Sequence, residues 1–274
     1  MDYTAEVAIG LRRNPQESLS YALSKLITPL EIPAGLEQII IKPSIYDPDL
    51  VGNTNPDMVK AVIPIFKSLA PVSIVESDNP FRSSSAAFTK CGYDRLIEDD
   101  VHLVNLSLEP CLTMVMPGHY FKKHDMPVLL QRGFLLINIP TMKLEPNQVS
   151  VGAGIKNLFG LLPEVDKRIY HASLQDILLD LLIAFRPHLT IVDLTKIVLG
   201  NRNEGVTRDA NAVLVGRDPV AVDAVCADLL NLNPMKIGLL KSAHQLGLGE
   251  VLIDRIRIIG TEEQKTKLSK LCQI

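Results

Sequence analysis

The amino-acid sequence predicts an α/β fold, a largely parallel, twisted sheet with helices on both faces in Rossmann-like layers. Three observations lead there. Apolar runs of strand length alternate with segments of helical periodicity, the rhythm of a helix-covered parallel sheet. A chain of 274 residues suits one large α/β domain and can bury most of its apolar surface without cross-links. A hydrophobic share of 47% against 22% charged is that of an ordinary globular protein. The whole chain, 1–274, reads as one domain, with room for a small second lobe around 108–170.

The elements follow in chain order. A strand at 6–9 precedes a helix at 15–27, which opens on Pro15. A strand at 38–41 precedes a helix at 56–69, with Thr54 or Asn55 as N-cap and Pro56 at the first helical position. Strands at 72–75 and 102–106 come next. The stretch 108–130 breaks the rhythm, interrupted by Pro110, Pro117, Gly118 and Pro127. After a strand at 134–139, residues 140–171 form a long Gly- and Lys-rich connection, and long connections inside compact domains usually carry function. A helix at 174–185 repeats apolar residues at i, i+3 and i+4 and stops before Pro187. Strands at 190–192 and 212–215, helices at 219–230 and 235–246, and a strand at 255–259 complete the set.

Composition narrows the function classes. A formal net charge of −3 gives no basic face for nucleic acid. Cys91, Cys111, Cys226 and Cys272 lie far apart without a Cys-x-x-Cys pair, so no iron–sulfur cluster or zinc ribbon is expected. Isolated thiols suit a reducing compartment. The first ten residues carry two acids and no apolar run of signal-peptide length, and the apolar stretch 177–185 is too short to span a bilayer. The expectation is a cytoplasmic protein with no membrane partner. A homo-oligomer is compatible with it.

Ligands of open parallel sheets bind beyond the carboxyl ends of the strands. Five predicted strand ends run straight into charge: Lys42, then Glu76 with Asp78, then Lys143, Asp193, and Asp218. Bland alternatives accompany several of them. Asp218 before Pro219 also reads as an N-cap, Asp223 as a first-turn acid or a pocket acid, and Asp78-Asn79 before Pro80 as a turn. The run Gly152-Ala-Gly154-Ile-Lys156-Asn157 offers bare backbone N–H groups, a cation and an amide. A helix beginning at Lys156 would turn its positive end toward a ligand, though a purely structural Gly-rich turn fits equally. It is not a Walker A loop, because Gly-Lys-Ser/Thr is absent. His171 closes the segment that Lys156 opens and reads as a proton carrier, a ligand or a packed histidine.

The run Val151-Gly-Ala-Gly-Ile-Lys-Asn-Leu-Phe-Gly-Leu-Leu-Pro163, followed by Lys167 and His171, resembles the signature of the family called domain of unknown function 362. Ile41-Lys42-Pro43 with Asn55-Pro56, Glu76-Ser-Asp78, Ile191-Val-Asp193 and Gly216-Arg-Asp-Pro-Val-Ala-Val-Asp223 extend the resemblance in the family's order. The resemblance implies an archaeal or anaerobic setting and little about activity. Some relatives add a ferredoxin-like cysteine motif that this chain lacks. Relatives usually follow the equivalent of Lys143 with Thr-His, where this chain has Leu144-Glu145. They also tend to carry Gly-Pro after the Asp193 strand, where residues 200–205 stand here. A looser similarity in the strand-Lys-Pro loops points toward nickel-pincer-dependent racemases.

Two functions fit these features. In the first, a metabolic enzyme holds a phosphate- or carboxylate-bearing ligand on Lys42, Lys143, Gly152, Gly154, Lys156 and Asn157. Glu76, Asp78, Asp193 and His171 then move protons or bind a divalent metal. In the second, the chain is a non-catalytic cofactor-binding or accessory protein of an anaerobic redox system.

Overall fold

The computed structural model describes residues 3–145, 150–200 and 206–273. From the N-terminus the elements are β1 (Ala5–Leu11), α1 (Pro15–Lys25), β2 (Gln38–Pro43), α2 (Pro56–Phe66), β3 (Val72–Glu76), α3 (Ser84–Cys91) and β4 (Val101–Asn105). There follow β5 (Cys111–Val115), β6 (Lys123–Pro127), β7 (Phe134–Ile139), β8 (Thr141–Glu145), β9 (Ser150–Gly152) and the short α4 (Gly154–Asn157). The chain then runs through α5 (Leu174–Ala184), β10 (Leu189–Leu199), β11 (Val206–Gly216), α6 (Pro219–Leu229), α7 (Gly238–Gln245), β12 (Ile256–Ile259) and α8 (Glu262–Leu271).

The main sheet has ten strands, eight in the order β12-β1-β11-β10-β7-β2-β3-β4, with β8 off this path beside β10 and β9 beside β8. Every pairing along that path is parallel except the two that β11 makes, with β10 and with β1. Alternate side chains of each strand feed two separate cores. Ile39, Ile41, Ile74 and Ile137 pack under α1, α2 and α3. Ile40, Val75 and Leu136 pack on the other face with α5, α6, α7 and α8. Period-two alternation with apolar residues on both sides is what a doubly covered sheet requires.

Local chemistry sets the element ends. Asn55 caps α2 by accepting the Asp57 N–H, and Pro56 occupies the first turn, where a missing N–H costs nothing. Two helices absent from the sequence reading have the same kind of signal. Ser83 caps α3 and Gly92, at φ 78°, ends it; Thr261 and Gln264 form a capping box on α8. The proline-broken stretch after β4 is an antiparallel hairpin of β5 and β6 that pairs only with itself. Its turn is tied to the body by Asp180 of α5, whose buried carboxylate accepts the N–H groups of His119, Tyr120 and Phe121 at 2.7–2.9 Å.

Two expectations about strand ends change. The strand read as 190–192 continues to Leu199, so Asp193 lies inside β10 rather than at its end. The strand read as 212–215 is the antiparallel one, so its end delivers Asp218 to the opposite edge of the sheet. There Asp218 caps α6, accepting from Val220 N, Ala221 N and Glu250 N. Among the described residues, no helix is long and apolar enough to cross a membrane.

Candidate functional site

At the carboxyl edge of β2, β3 and β8 a cavity of about 410 Å³ opens beneath the segment 152–171. That volume lies in the ordinary range for small-molecule sites, roughly 300–1,000 Å³.

The floor is an ion pair. Lys42, 1% exposed, extends from β2 and donates to Glu76 Oε2 at 2.7 Å and to the Pro43 carbonyl at 2.7 Å. Glu76, at the end of β3, also accepts the N–H groups of Ile45 and Ser77. Burial holds the Lys42 ammonium below the usual lysine range, against the pull of the Glu76 charge and hydrogen bond. Gly160 roofs this pair so closely that a Cβ there would lie 2.7 Å from Lys42 Cε, 2.8 Å from its Nζ and 3.0 Å from Glu76 Oε1. The last glycine of the Gly-rich run is thus a close-approach residue.

One wall is α4 and the turn after it. Asn157 donates to the Lys42 carbonyl at 3.0 Å and to Asn138 Oδ1 at 2.8 Å, while Asn138 donates back to the Gly154 carbonyl. This amide ladder fixes α4 against β2 and β7. Its first N–H groups do not face the cavity. Gly154 N and Ile155 N both donate to Asp223 of α6, at 2.6 and 2.9 Å. The helix start that looked like an anion cradle therefore holds a carboxylate of the protein itself. Burial pushes Asp223 up to about 7 in spite of these two bonds.

Positive charge dominates the lining. Lys143 donates to Ser44 Oγ at 3.1 Å, and Lys156 is half-buried on the α4 side. Lys167 donates to Ser77 Oγ at 2.9 Å and to the carbonyls of Asp78 and Glu164. Burial draws it down to about 8, with Glu76 and Glu164 pulling the other way. Arg82 clamps the two loops after β2 and β3, donating to the Ser77, Ile45 and Tyr46 carbonyls. Among the described residues, only Glu76 and Asp78 contribute carboxylates to the lining, and one Asp78 oxygen already serves Ser84 N, Ser84 Oγ and Asn105 Nδ2. His171 sits exposed at the mouth, its ring stacked on Phe159 with centroids 6.0 Å apart.

The sequence-predicted residues Lys42, Glu76, Asp78 and Lys143 therefore meet Gly152, Lys156, Asn157 and His171 around one cavity. Asp193 and Gly154 do not line it. Asp193 is buried within β10, its carboxylate taken by Asn55 N at 2.7 Å and by Thr195 N and Oγ1, and burial raises its pKa. Gly154 is spent on Asp223, and a Cβ there would lie 2.8 Å from Asp223 Oδ1. The acids expected to gather on a divalent cation are thereby dispersed. No group of three or more His, Cys, Asp or Glu disposed to hold a metal occurs among the described residues. The Glu145 side chain and the departure at residues 201–205 lie outside the described residues. Sequence reasoning passed over Arg82 and gave Lys167 no role. Lys167 could have been found as a cation at the far end of the same Gly-rich segment. Arg82 had no signal beyond following the Asn79-Pro80 turn.

The protein is thus an α/β sheet with a cleft lined by cations at its carboxyl edge. Residues 39–228 match the family described as domain of unknown function (DUF362), and the chain belongs to that family. The match spans β2 through α6, which includes every residue of the floor and of the α4 wall. The chain is also similar to a thylakoid-associated protein of Synechocystis sp., 23% identical over 265 residues, covering 88% of this chain and 80% of the relative.

Proposed function

We propose that the cavity binds a small phosphate- or carboxylate-bearing molecule as a cytoplasmic metabolic enzyme. The observation that carries this is the lining, where among the described residues Lys42, Lys143, Lys156, Lys167, Arg82 and Arg168 stand against Glu76 and Asp78, with Lys42 and Glu76 locked in a buried pair and Arg168 paired with Asp166 outside the lining. Cations gathered in one cleft raise the local positive potential and so favour an anion. Lys156 supplies charge from one wall and Lys167 from the other. Lys167, held near 8, is also a group that can exchange a proton in the neutral range.

The second reading, a non-catalytic carrier, draws on the same geometry. Glu76 and Asp78 are committed to the framework, and Asp193 is sequestered from the cavity.

Calorimetric titration with inorganic phosphate tests the site. Lys156→Ala should weaken binding roughly 10- to 150-fold, the worth of a hydrogen bond to a charged group. Its melting temperature should change little. Unchanged affinity would remove the anion from this cavity. Native mass spectrometry of the protein as isolated, with turnover assays on any molecule that co-purifies, separates enzyme from carrier.

A further inference from the structure

The mouth of the cavity differs in chemistry from its interior. Its exposed lining includes Tyr46, from the loop after β2, and Phe81, from the loop after β3. The lining also holds Phe159 and His171, already stacked on each other at an interplanar angle of 29°. Phe81 is 70% exposed and makes no ring contact among the described residues. A phenylalanine so placed loses hydrophobic free energy to water unless something covers it.

The two loops that carry Tyr46 and Phe81 are built as one piece. Asn79 Oδ1 accepts the Phe81 N–H at 2.9 Å, and Asn79 Nδ2 donates to the Tyr46 carbonyl at 2.8 Å. Arg82 Nε donates to that same carbonyl at 3.0 Å. The exposed ring is therefore presented from a cross-linked backbone, which reduces the ordering cost of covering it. These rings share the lining with Lys156 and Lys167, which are less exposed than Tyr46, Phe81 and His171.

Resting on the anion-binding reading above, we infer that the ligand is an aromatic anion, a planar ring seated among Phe81, Tyr46, Phe159 and His171 with its acidic group directed inward to the lysines. A ring face against aromatic side chains gains both burial and offset-stacking energy. An inorganic or purely aliphatic acid would fill the interior and leave the rim wet.

The test compares inorganic phosphate, phenyl phosphate and cyclohexyl phosphate by calorimetric titration of the full chain. Phenyl phosphate should bind about tenfold or more tightly than inorganic phosphate, and more tightly than cyclohexyl phosphate. Phe81→Ala, at an exposed position that the fold does not depend on, should erase most of that advantage and leave inorganic phosphate unchanged. Lys156→Ala should weaken all three. If inorganic phosphate binds in a Lys156-dependent way but phenyl phosphate gains nothing, the aromatic assignment is overturned and the anion site stands. Equal affinity for the phenyl and cyclohexyl esters, or an advantage insensitive to Phe81→Ala, likewise overturns it. Binding of none of the three overturns both readings.

Discussion

Replacing Glu76 by Gln removes one charge from the floor of the cavity and leaves Lys42 buried with neutral acceptors alone, the Pro43 carbonyl and the new amide oxygen. Lys42 is 1% exposed, so water cannot substitute for the lost carboxylate. Breaking a buried ion pair from one side costs about 3–5 kcal/mol, because the other charge is stranded. The Ile45 and Ser77 N–H groups lose a charged acceptor in the same step. The cost should also depend on pH in a definite direction. Burial already depresses the Lys42 pKa, and the Glu76 charge and hydrogen bond are what oppose it. Without them the folded-state value falls further below the unfolded one. A base depressed in the folded state contributes its full stability above the unfolded pKa and loses it as pH falls through the folded pKa. The deficit of the variant is therefore largest near neutral pH and shrinks as pH rises toward about 10. Urea denaturation at about pH 7 and about pH 9.5 reads both quantities. The double variant Lys42→Met/Glu76→Gln should recover much of the loss, since no buried charge remains. A deficit under about 1 kcal/mol, or one that is the same at both pH values, would refute the reasoning.

Two further outcomes follow from the same geometry. Burial raises Asp223 to about 7, so its contribution to stability is present below its unfolded pKa near 4 and is lost as pH rises through 7. Asp223→Asn should flatten that stretch of the stability profile, whose slope is at most about 1.4 kcal/mol per pH unit for one proton, and superimposable urea midpoints across pH 4–8 would contradict it. Sulfate keeps a constant charge between about pH 7 and pH 9, whereas Lys167, drawn to about 8, loses its own. Sulfate affinity should fall several-fold over that range in the parent and stay flat in Lys167→Met, measured by competition with a site-bound anion.

Much of the scaffold was legible in the residues. The eight strands along the main path of the ten-stranded sheet coincide with apolar runs, because a strand covered on both faces must be apolar on both sides, whereas β8 and β9 fall in the stretch read as a connection. The caps at Asn55 and Asp218 were legible for a local reason: each side chain bonds N–H groups two or three residues along the chain. Strand ends placed Lys42 and Glu76 together, since β2 and β3 run in one direction and finish at one edge, whereas Lys143, expected in a connection just after β7, lies inside β8. The hairpin of β5 and β6 was missed because most of its side chains are exposed and its prolines mimic a loop.

What the sequence by itself determined was the set of local elements, their order, and the charges that follow parallel strands. Tertiary structure alone decided strand direction and partner choice. Nothing in residues 206–216 marks β11 as antiparallel; pairing with β10 and β1 does, and it carries Asp218 to the far edge. Nothing in residues 152–157 says that the first N–H groups of α4 are already occupied. The carboxylate that takes them comes from Asp223, some 70 residues later in the chain, brought there by the packing of α6. A carboxylate at 2.6 Å from a backbone N–H fills the position that an anion at this helix start would need, so the glycines became a packing device.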